Sequence, residues 1–290
     1  VATGTAANAL VCAQLSPPFG RIYCHEDAHI ETSECAAPEF FAHGAKLITL
    51  PGMGGRLAPQ TLSQALQLGA DGGLNGGRNA LVSITNATEW GTVYAPAEVA
   101  ALAAVAQEAG VPLHMDGARF ANAVASLGCS AADLTWRAGV DALCLGGTKN
   151  GAMAAEAVVF FDPARAEAFD YRRKQAGHVF SKNRFLAAQM LALANDGLWL
   201  ELARLANAKA AHLAEAVTEG GGQLLQPVQS NAVFAAIPAE THARARAAGA
   251  IYHLWPDKSA KGLDPVPLRL VCAWDTPDGD VETLAAILRS

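Results

Sequence analysis

The sequence contains no C-x-x-C pair; its six cysteines, Cys12, Cys24, Cys35, Cys129, Cys144 and Cys272, are scattered over 290 residues. This spacing argues against both a disulfide scaffold and a thiolate zinc site, and suggests reduced core thiols in a cytoplasm. Charge is sparse as well: Asp, Glu, Lys and Arg make up 17% of the chain, with 27 acids against 21 bases and no basic cluster larger than Arg172, Arg173 and Lys174. A net charge of −6 with no basic patch disfavours a nucleic-acid partner. No run approaches the ~20 apolar residues that cross a bilayer. Nor do Val1-Ala2-Thr3-Gly4-Thr5 carry the basic start of a signal peptide, and without an initiator Met the sequence can begin inside a longer gene product. What is abundant is apolar residue, 51% of the chain with mean hydropathy +0.18. That content excludes disorder and supplies a core large enough for two lobes or one large α/β domain.

Apolar runs of strand length alternate with alanine-rich helical stretches, the pattern of βαβ units and a mainly parallel sheet. Strands are expected at Arg21–Cys24, Lys46–Leu50, Ala80–Ile84, Pro112–Met115, Ala142–Leu145 and Ala157–Phe161, with helices at Pro59–Leu68, Ala97–Ala109 and Arg119–Leu127. From Ser181 to Ala216 the pattern is helical, broken at Asn195-Asp196-Gly197. After Gly220-Gly221-Gly222 a shorter α+β region follows, with strands near Gln223–Leu225, Ala232–Ile237, Ala250–His253 and Leu268–Cys272 and helices around Ala239–Ala248 and Val281–Leu288. The expected organisation is an α/β large domain over residues 1–200 and a small C-terminal domain over 201–290.

In an open parallel sheet, ligands gather outside the carboxyl ends of the strands, so polar residues that directly follow apolar strands are the candidates for chemistry. Pro112–Met115 runs into Asp116, and Ala142–Leu145 runs into Gly146-Gly147-Thr148-Lys149, one crossover later. Such a pair can be a structural ion pair. Here, however, Gly146 and Gly147 clear the backbone for a bulky group and Thr148 adds a hydroxyl. A lysine in a partly apolar pocket loses its proton more easily and can form an imine with an aldehyde. Pyridoxal phosphate is an aldehyde that also needs a carboxylate at its ring nitrogen. Lys149 and Asp116 supply both ends. Gly4 and Thr5 open a helix whose free N–H groups and dipole would hold the phosphate, although Gly-Thr at a helix start is also an ordinary cap.

Gly4-Thr5-Ala6-Ala7-Asn8, Asp27-Ala28-His29, Met115-Asp116-Gly117-Ala118-Arg119, Gly146-Gly147-Thr148-Lys149-Asn150-Gly151 and Leu268-Arg269-Leu270-Val271-Cys272 occur in this order. Together they resemble the low-specificity L-threonine aldolases, fold-type-I pyridoxal-phosphate lyases, in their phenylserine-active branch. The resemblance spans essentially the whole chain. It implies the fold-type-I transferase-like architecture, a cytoplasmic homotetramer, and cleavage of a β-hydroxy-α-amino acid to glycine and an aldehyde. It further implies Lys149 as the Schiff-base lysine, Asp116 at the pyridinium nitrogen, and Gly4, Thr5 and Thr148 at the phosphate. His29 would stack on the ring and act, directly or through a water, as base at the β-hydroxyl. Arg119 and Arg269 would hold the substrate carboxylate. An arginine within the apolar run Leu268–Cys272 is costly unless it meets an anion. A β-eliminating lyase or aminotransferase on the same scaffold, or a silent cofactor-binding subunit, are the alternatives.

The sequence departs from that family in two places. Relatives carry a few dozen residues before the phosphate motif, including a serine that helps bind the substrate carboxylate. They also often place a histidine where this chain has Thr85-Asn86-Ala87-Thr88-Glu89-Trp90, leaving Glu89 or Thr88 to take over part of its role. A competing motif is His25-Glu26-Asp27-Ala28-His29, which fits H-E-x-x-H, the zinc-peptidase signature. That chemistry needs both histidines on one helical face, whereas Arg21–Cys24 reads as a strand entering a turn. No metal site is therefore expected. His43, His212 and His242 read as solvated or capping, His178 as a helix end or a neighbour to another subunit's site, and Trp199 and Trp274 as packing residues.

Overall fold

The computed structural model describes residues 1–256 and 259–290. Its larger sheet contains β1 (Gly20–His25), β2 (Lys46–Leu50), β3 (Arg78–Thr85), β4 (Leu113–Gly117), β5 (Ala142–Gly146) and β6 (Glu156–Phe160), in the order β2-β1-β3-β4-β5-β6. The first five run parallel, as their apolar sequences and intervening helical stretches imply. The sixth lies where a strand was expected but runs antiparallel to β5. The segment between Gly146 and Glu156 is a tight turn, too short for the crossover helix that a parallel partner requires.

Around this sheet are α1 (Gly4–Leu15), α2 (His29–Thr32), α3 (Ala37–Phe41), α4 (Pro59–Asp71), α5 (Gly73–Gly76), α6 (Pro96–Glu108) and α7 (Phe120–Leu127), followed by α8 (Phe169–Gln175), α9 (Arg184–Ala194) and α10 (Leu198–Glu219). Pro59 and Pro96 start α4 and α6, where a missing N–H and a preset φ suit the first helical position. The helical stretch after residue 181 is divided at Asp196 and Gly197, both in the left-handed region. Val1–Thr3, which reads as a strand end, is extended but unassigned to a strand. The Val1 amine donates to the Glu156 carbonyl and the Glu156 N–H to the Val1 carbonyl, both at 3.0 Å. This pairing fixes the start of α1 beside the β5–β6 turn.

A second, antiparallel sheet is formed by β7 (Gln223–Leu224), β8 (Ala232–Ile237), β9 (His253–Leu254) and β10 (Val266–Val271), in the order β7-β8-β10-β9, with α11 (Ala239–Ala247) and α12 (Asp278–Arg289) beside it. The strand expected at Ala250–His253 is displaced to β9, because only His253 and Leu254 pair with β10. Helix α10 packs on α7 at one side and on α12 and β8 at the other. Asn122 and Asn207 link α7 to α10 through two amide hydrogen bonds. Each sheet has its own buried apolar cluster, including Val82, Leu113 and Met115 in the larger and Val233, Leu268 and Leu270 in the smaller. All six cysteines are free. Four are core thiols as expected, but Cys35 is exposed and Cys129 half-buried, since both lie in connections outside the strands and helices.

Candidate active site

Parallel pairing brings the carboxyl ends of β1, β3, β4 and β5 to one edge, and the sequence ends these strands in polar residues. Asp116 lies opposite Thr85 of β3 and Cys144 of β5, and the chain leaving β5 reaches Lys149 within a few residues. Asp116 is buried, and its Oδ1 accepts the Ala118 N–H at 2.9 Å. Its Oδ2 accepts the side-chain amide of Asn8, at 2.8 Å, from the second turn of α1. Asn8 donates equally to Oε1 of buried Glu34, which also lies 2.8 Å from Nδ1 of His29. One amide thus ties the end of β4 to the start of α2.

The His29–Glu34 bond raises the imidazole above its usual pKa, while burial raises the Glu34 carboxyl. The backbone N–H of His29 donates to Oε1 of Glu89 at 2.8 Å, and Thr85 donates its hydroxyl to the same oxygen at 2.9 Å. Oε2 of Glu89 is buried without a partner, and burial raises this carboxyl too.

Across the cleft, Lys149 is exposed to the cavity. Surrounding protein lowers its pKa first, and the positive Arg119 lowers it further. Arg119 is pushed down to about 10 by burial and then by Arg269. Neither arginine has an ion-pair partner among the described residues, and the Nε of each is buried and unbonded. Arg269 lies on β10, its guanidinium 5.7 Å from the Phe234 ring and 5.9 Å from the Trp255 ring. Trp90 completes this aromatic group and donates its indole N–H to Asp27. A cavity of about 390 Å³ runs past Arg119, Thr148 and Lys149 to Asn231 and Trp274. Trp274, expected as packing, therefore lines the cavity, whereas Trp199 does pack, stacked on Phe120.

At the start of α1, Thr3 accepts the Ala6 N–H on its hydroxyl and the Ala7 N–H on its carbonyl. The N–H groups of Gly4 and Thr5 have no such intrahelical partners, and a side chain at Gly4 would meet nothing within 4 Å. Oε2 of Glu156 accepts the Gly147 N–H at 3.0 Å, and Thr148 accepts the Ala155 N–H at 3.2 Å, which shapes the turn carrying Lys149. His178 is not a free helix end, since its Nδ1 accepts the Ala2 N–H at 3.2 Å. His212 faces Glu282, and His242 bonds the Tyr252 hydroxyl.

Arg119, Thr148 and Lys149 thus line one cavity, His29 lies with Asp116 and Glu34, and Lys149 is within electrostatic reach of Asp116, His29, Arg119 and Arg269, while Gly4 and Thr5 open α1 outside the residues that line the cavity. Sequence reasoning missed Glu34 and Glu156 and gave Asn8 no role. The H-E-x-x-H reading meets a geometric obstacle, because His25 ends β1 while His29 begins α2. His25 is engaged instead by the Gly52 carbonyl and the Asp27 N–H. Among the described residues the cluster with ligand-like atoms is His29, Glu34 and Asp116, within 4.8 Å of one another. The Asn8 amide, which donates to both of those carboxylates, already joins its two acids.

Two guanidiniums with unmet donors and a helix start with free N–H groups fit an anionic ligand. A lysine of lowered pKa near a buried carboxylate fits an aldehyde with a basic ring nitrogen. This fold is that of the fold-type-I class of pyridoxal-phosphate enzymes. The chain belongs to the beta-eliminating lyase family, matched over residues 1–240, and within it to the low-specificity L-threonine aldolases. It is 43% identical over 288 residues to the low specificity L-threonine aldolase of Pseudomonas sp. (strain NCIMB 10558), covering 99% of this chain and 81% of the relative. The Pseudomonas aeruginosa enzyme of the same name is also 43% identical, with 99% and 80% covered. Threonine aldolase from Leishmania major superposes with a TM-score of 0.91 at 28% identity, over 99% of this chain and 82% of that one. No helix among the described residues is long and apolar enough to cross a membrane.

Proposed function

We propose that the protein is a pyridoxal-phosphate-dependent aldolase that splits L-threonine, L-allo-threonine or phenylserine-type β-hydroxy-α-amino acids into glycine and an aldehyde. The observation that carries this reading is Asp116 at the carboxyl end of β4 and Lys149 in the turn that leaves the adjoining β5, near enough for the carboxylate to act on the lysine's charge. Residues 1–200 would hold the cofactor, and residues 201–290 would contribute Arg269. Gly4, Thr5 and Thr148 would bind the phosphate through N–H and hydroxyl donors. Asp116, held by Asn8 and Ala118, would face the ring nitrogen, and Lys149 would hold the aldehyde carbon. When bound there, the cofactor supplies a sink for the electron pair released at Cα.

Arg119 and Arg269 would bind the substrate carboxylate and fix the Cα–Cβ bond for cleavage. Their unmet donors support this role. His29 would lie against the ring, oriented by Glu34 in the way a carboxylate orients a histidine. The rings of Trp90, Phe234 and Trp255 beside Arg269 support an aryl substituent on the substrate, as in phenylserine. A cytoplasmic homotetramer is the assembly proposed, supported by exposed Phe185 and Leu191 on α9, apolar side chains that another copy could cover.

Product analysis tests the reading. Protein supplied with pyridoxal phosphate and phenylserine should release glycine and benzaldehyde in equal amounts. Ammonia and a keto acid would instead indicate elimination or amino transfer, and would contradict it.

A further inference from the structure

Glu89, a carboxyl group to which the proposed reaction has so far given no part, lies among the charged groups of the site. Glu89 follows β3 and is anchored by one oxygen only: Oε1 takes both the His29 N–H and the Thr85 hydroxyl. Oε2 is buried with no partner. An unpaired buried carboxylate oxygen is costly until a donor from a bound molecule completes it. Four charged groups surround it on different elements. Asp116 on β4 raises its pKa, whereas Glu89 in turn favours the charged forms of Arg119, after β4, and Arg269, on β10; His29 on α2 donates to it through the backbone. Glu89 is therefore within electrostatic reach of the arginines assigned to the substrate carboxylate and in contact with the backbone of the histidine assigned to the ring face.

Resting on that reading of the site, we propose that Oε2 of Glu89 is the acceptor of the β-hydroxyl proton. The balance is complete with the groups named. The O–H bond breaks and its proton passes to Oε2; the oxygen's electrons form the aldehyde C=O as Cα–Cβ breaks. The pair from Cα–Cβ would be held by the cofactor until Cα takes a proton from solvent to give glycine, and Glu89 returns the hydroxyl proton to solvent, so that protons balance. His29, which the Glu34 bond biases toward its charged form, then serves the ring face and the substrate oxygen as a donor. Burial raises the Glu89 carboxyl above its ordinary value, which makes its carboxylate the stronger proton acceptor.

The test is Glu89→Gln, which keeps the shape and the Oε1 contacts. Cleavage of phenylserine should fall by roughly 10²–10⁴-fold. Exchange of the glycine Cα proton with deuterated water, which needs no hydroxyl proton acceptor, should stay within a few-fold of wild type. The acid limb of the kcat/KM profile should also disappear. Without cofactor, the variant should melt at or above the wild-type temperature at pH 8, because the bare buried carboxylate is gone, and the gap should narrow as pH is lowered and the wild-type carboxyl takes a proton. Cleavage at near wild-type rate overturns the proposal. So does equal loss of cleavage and exchange, or a cofactor-free variant that melts below wild type at pH 8, since each indicates a structural carboxylate. If the wild-type protein itself neither cleaves phenylserine nor exchanges glycine, the aldolase reading fails rather than the role of Glu89.

Discussion

The residues of the candidate site differ in how far the sequence marked them. Asp116 and Lys149 could be read from the sequence because each directly follows an apolar strand, where a parallel sheet places its ligand residues. Arg269 could be read because it interrupts an apolar run, and the structure leaves its Nε buried and unpaired. Glu34 gave no such signal. It lies in the connection between α2 and α3, and its significance comes from Asn8, far away in sequence, which joins it to Asp116. Asn8 belongs to a recognisable motif, but its role depends on a tertiary contact that local spacing does not encode. At this scale the account predicts that Arg269→Ala raises KM for the amino acid about 10-fold or more with a smaller change in kcat, since the lost charge-assisted contact holds substrate before and during cleavage. Steady-state kinetics with phenylserine check this; an unchanged KM would assign the carboxylate elsewhere.

Strands proved easier to place than their directions and ends. The order of parallel strands followed from apolar runs separated by helical stretches, but β6 looks like any other apolar run, and only the length of the preceding turn sets it antiparallel. Strand β9 was misplaced because two paired residues are too few to outweigh neighbouring turns. The break between α9 and α10 was legible from Asn195-Asp196-Gly197, where Asp196 and Gly197 adopt the left-handed backbone these residue types tolerate. The β5–β6 turn carries the most function per residue. A Cβ on Gly146 would stand 2.6 Å from the Ala118 carbonyl oxygen and 2.8 Å from its Cα. Because both atoms are backbone, no side-chain rotation relieves the clash. Gly146→Ala should therefore cost about 1–3 kcal/mol of stability, measured by denaturant unfolding, and should weaken cofactor retention by displacing Lys149. Unchanged stability would show that the turn can shift without cost.

Over the whole molecule, two buried clusters and the bridging helix α10 set one sheet's strand ends beside the other's, so the cleft draws Arg269 from one part and Lys149 from the other. Beneath this cleft, Ser83, His114 and Cys144 form a buried hydrogen-bonded row across β3, β4 and β5. Burial pushes His114 down to about 4 from its usual 6.5. The unfolded chain then binds a proton that the folded one refuses, so this residue withdraws stability as pH falls from 6.5 toward about 4 and has no such effect above 6.5. In His114→Gln the unfolding free energy should decline less steeply over that interval than in wild type; parallel declines would mean that His114 is charged in the folded protein. The central claim, that Lys149 and Asp116 grip one cofactor, is tested most directly by borohydride reduction of the protein with pyridoxal phosphate, followed by peptide mapping. The account predicts a single pyridoxyl label on Lys149, weakened when Asp116 is replaced by Ala; a label on another lysine, or none at all, would contradict it.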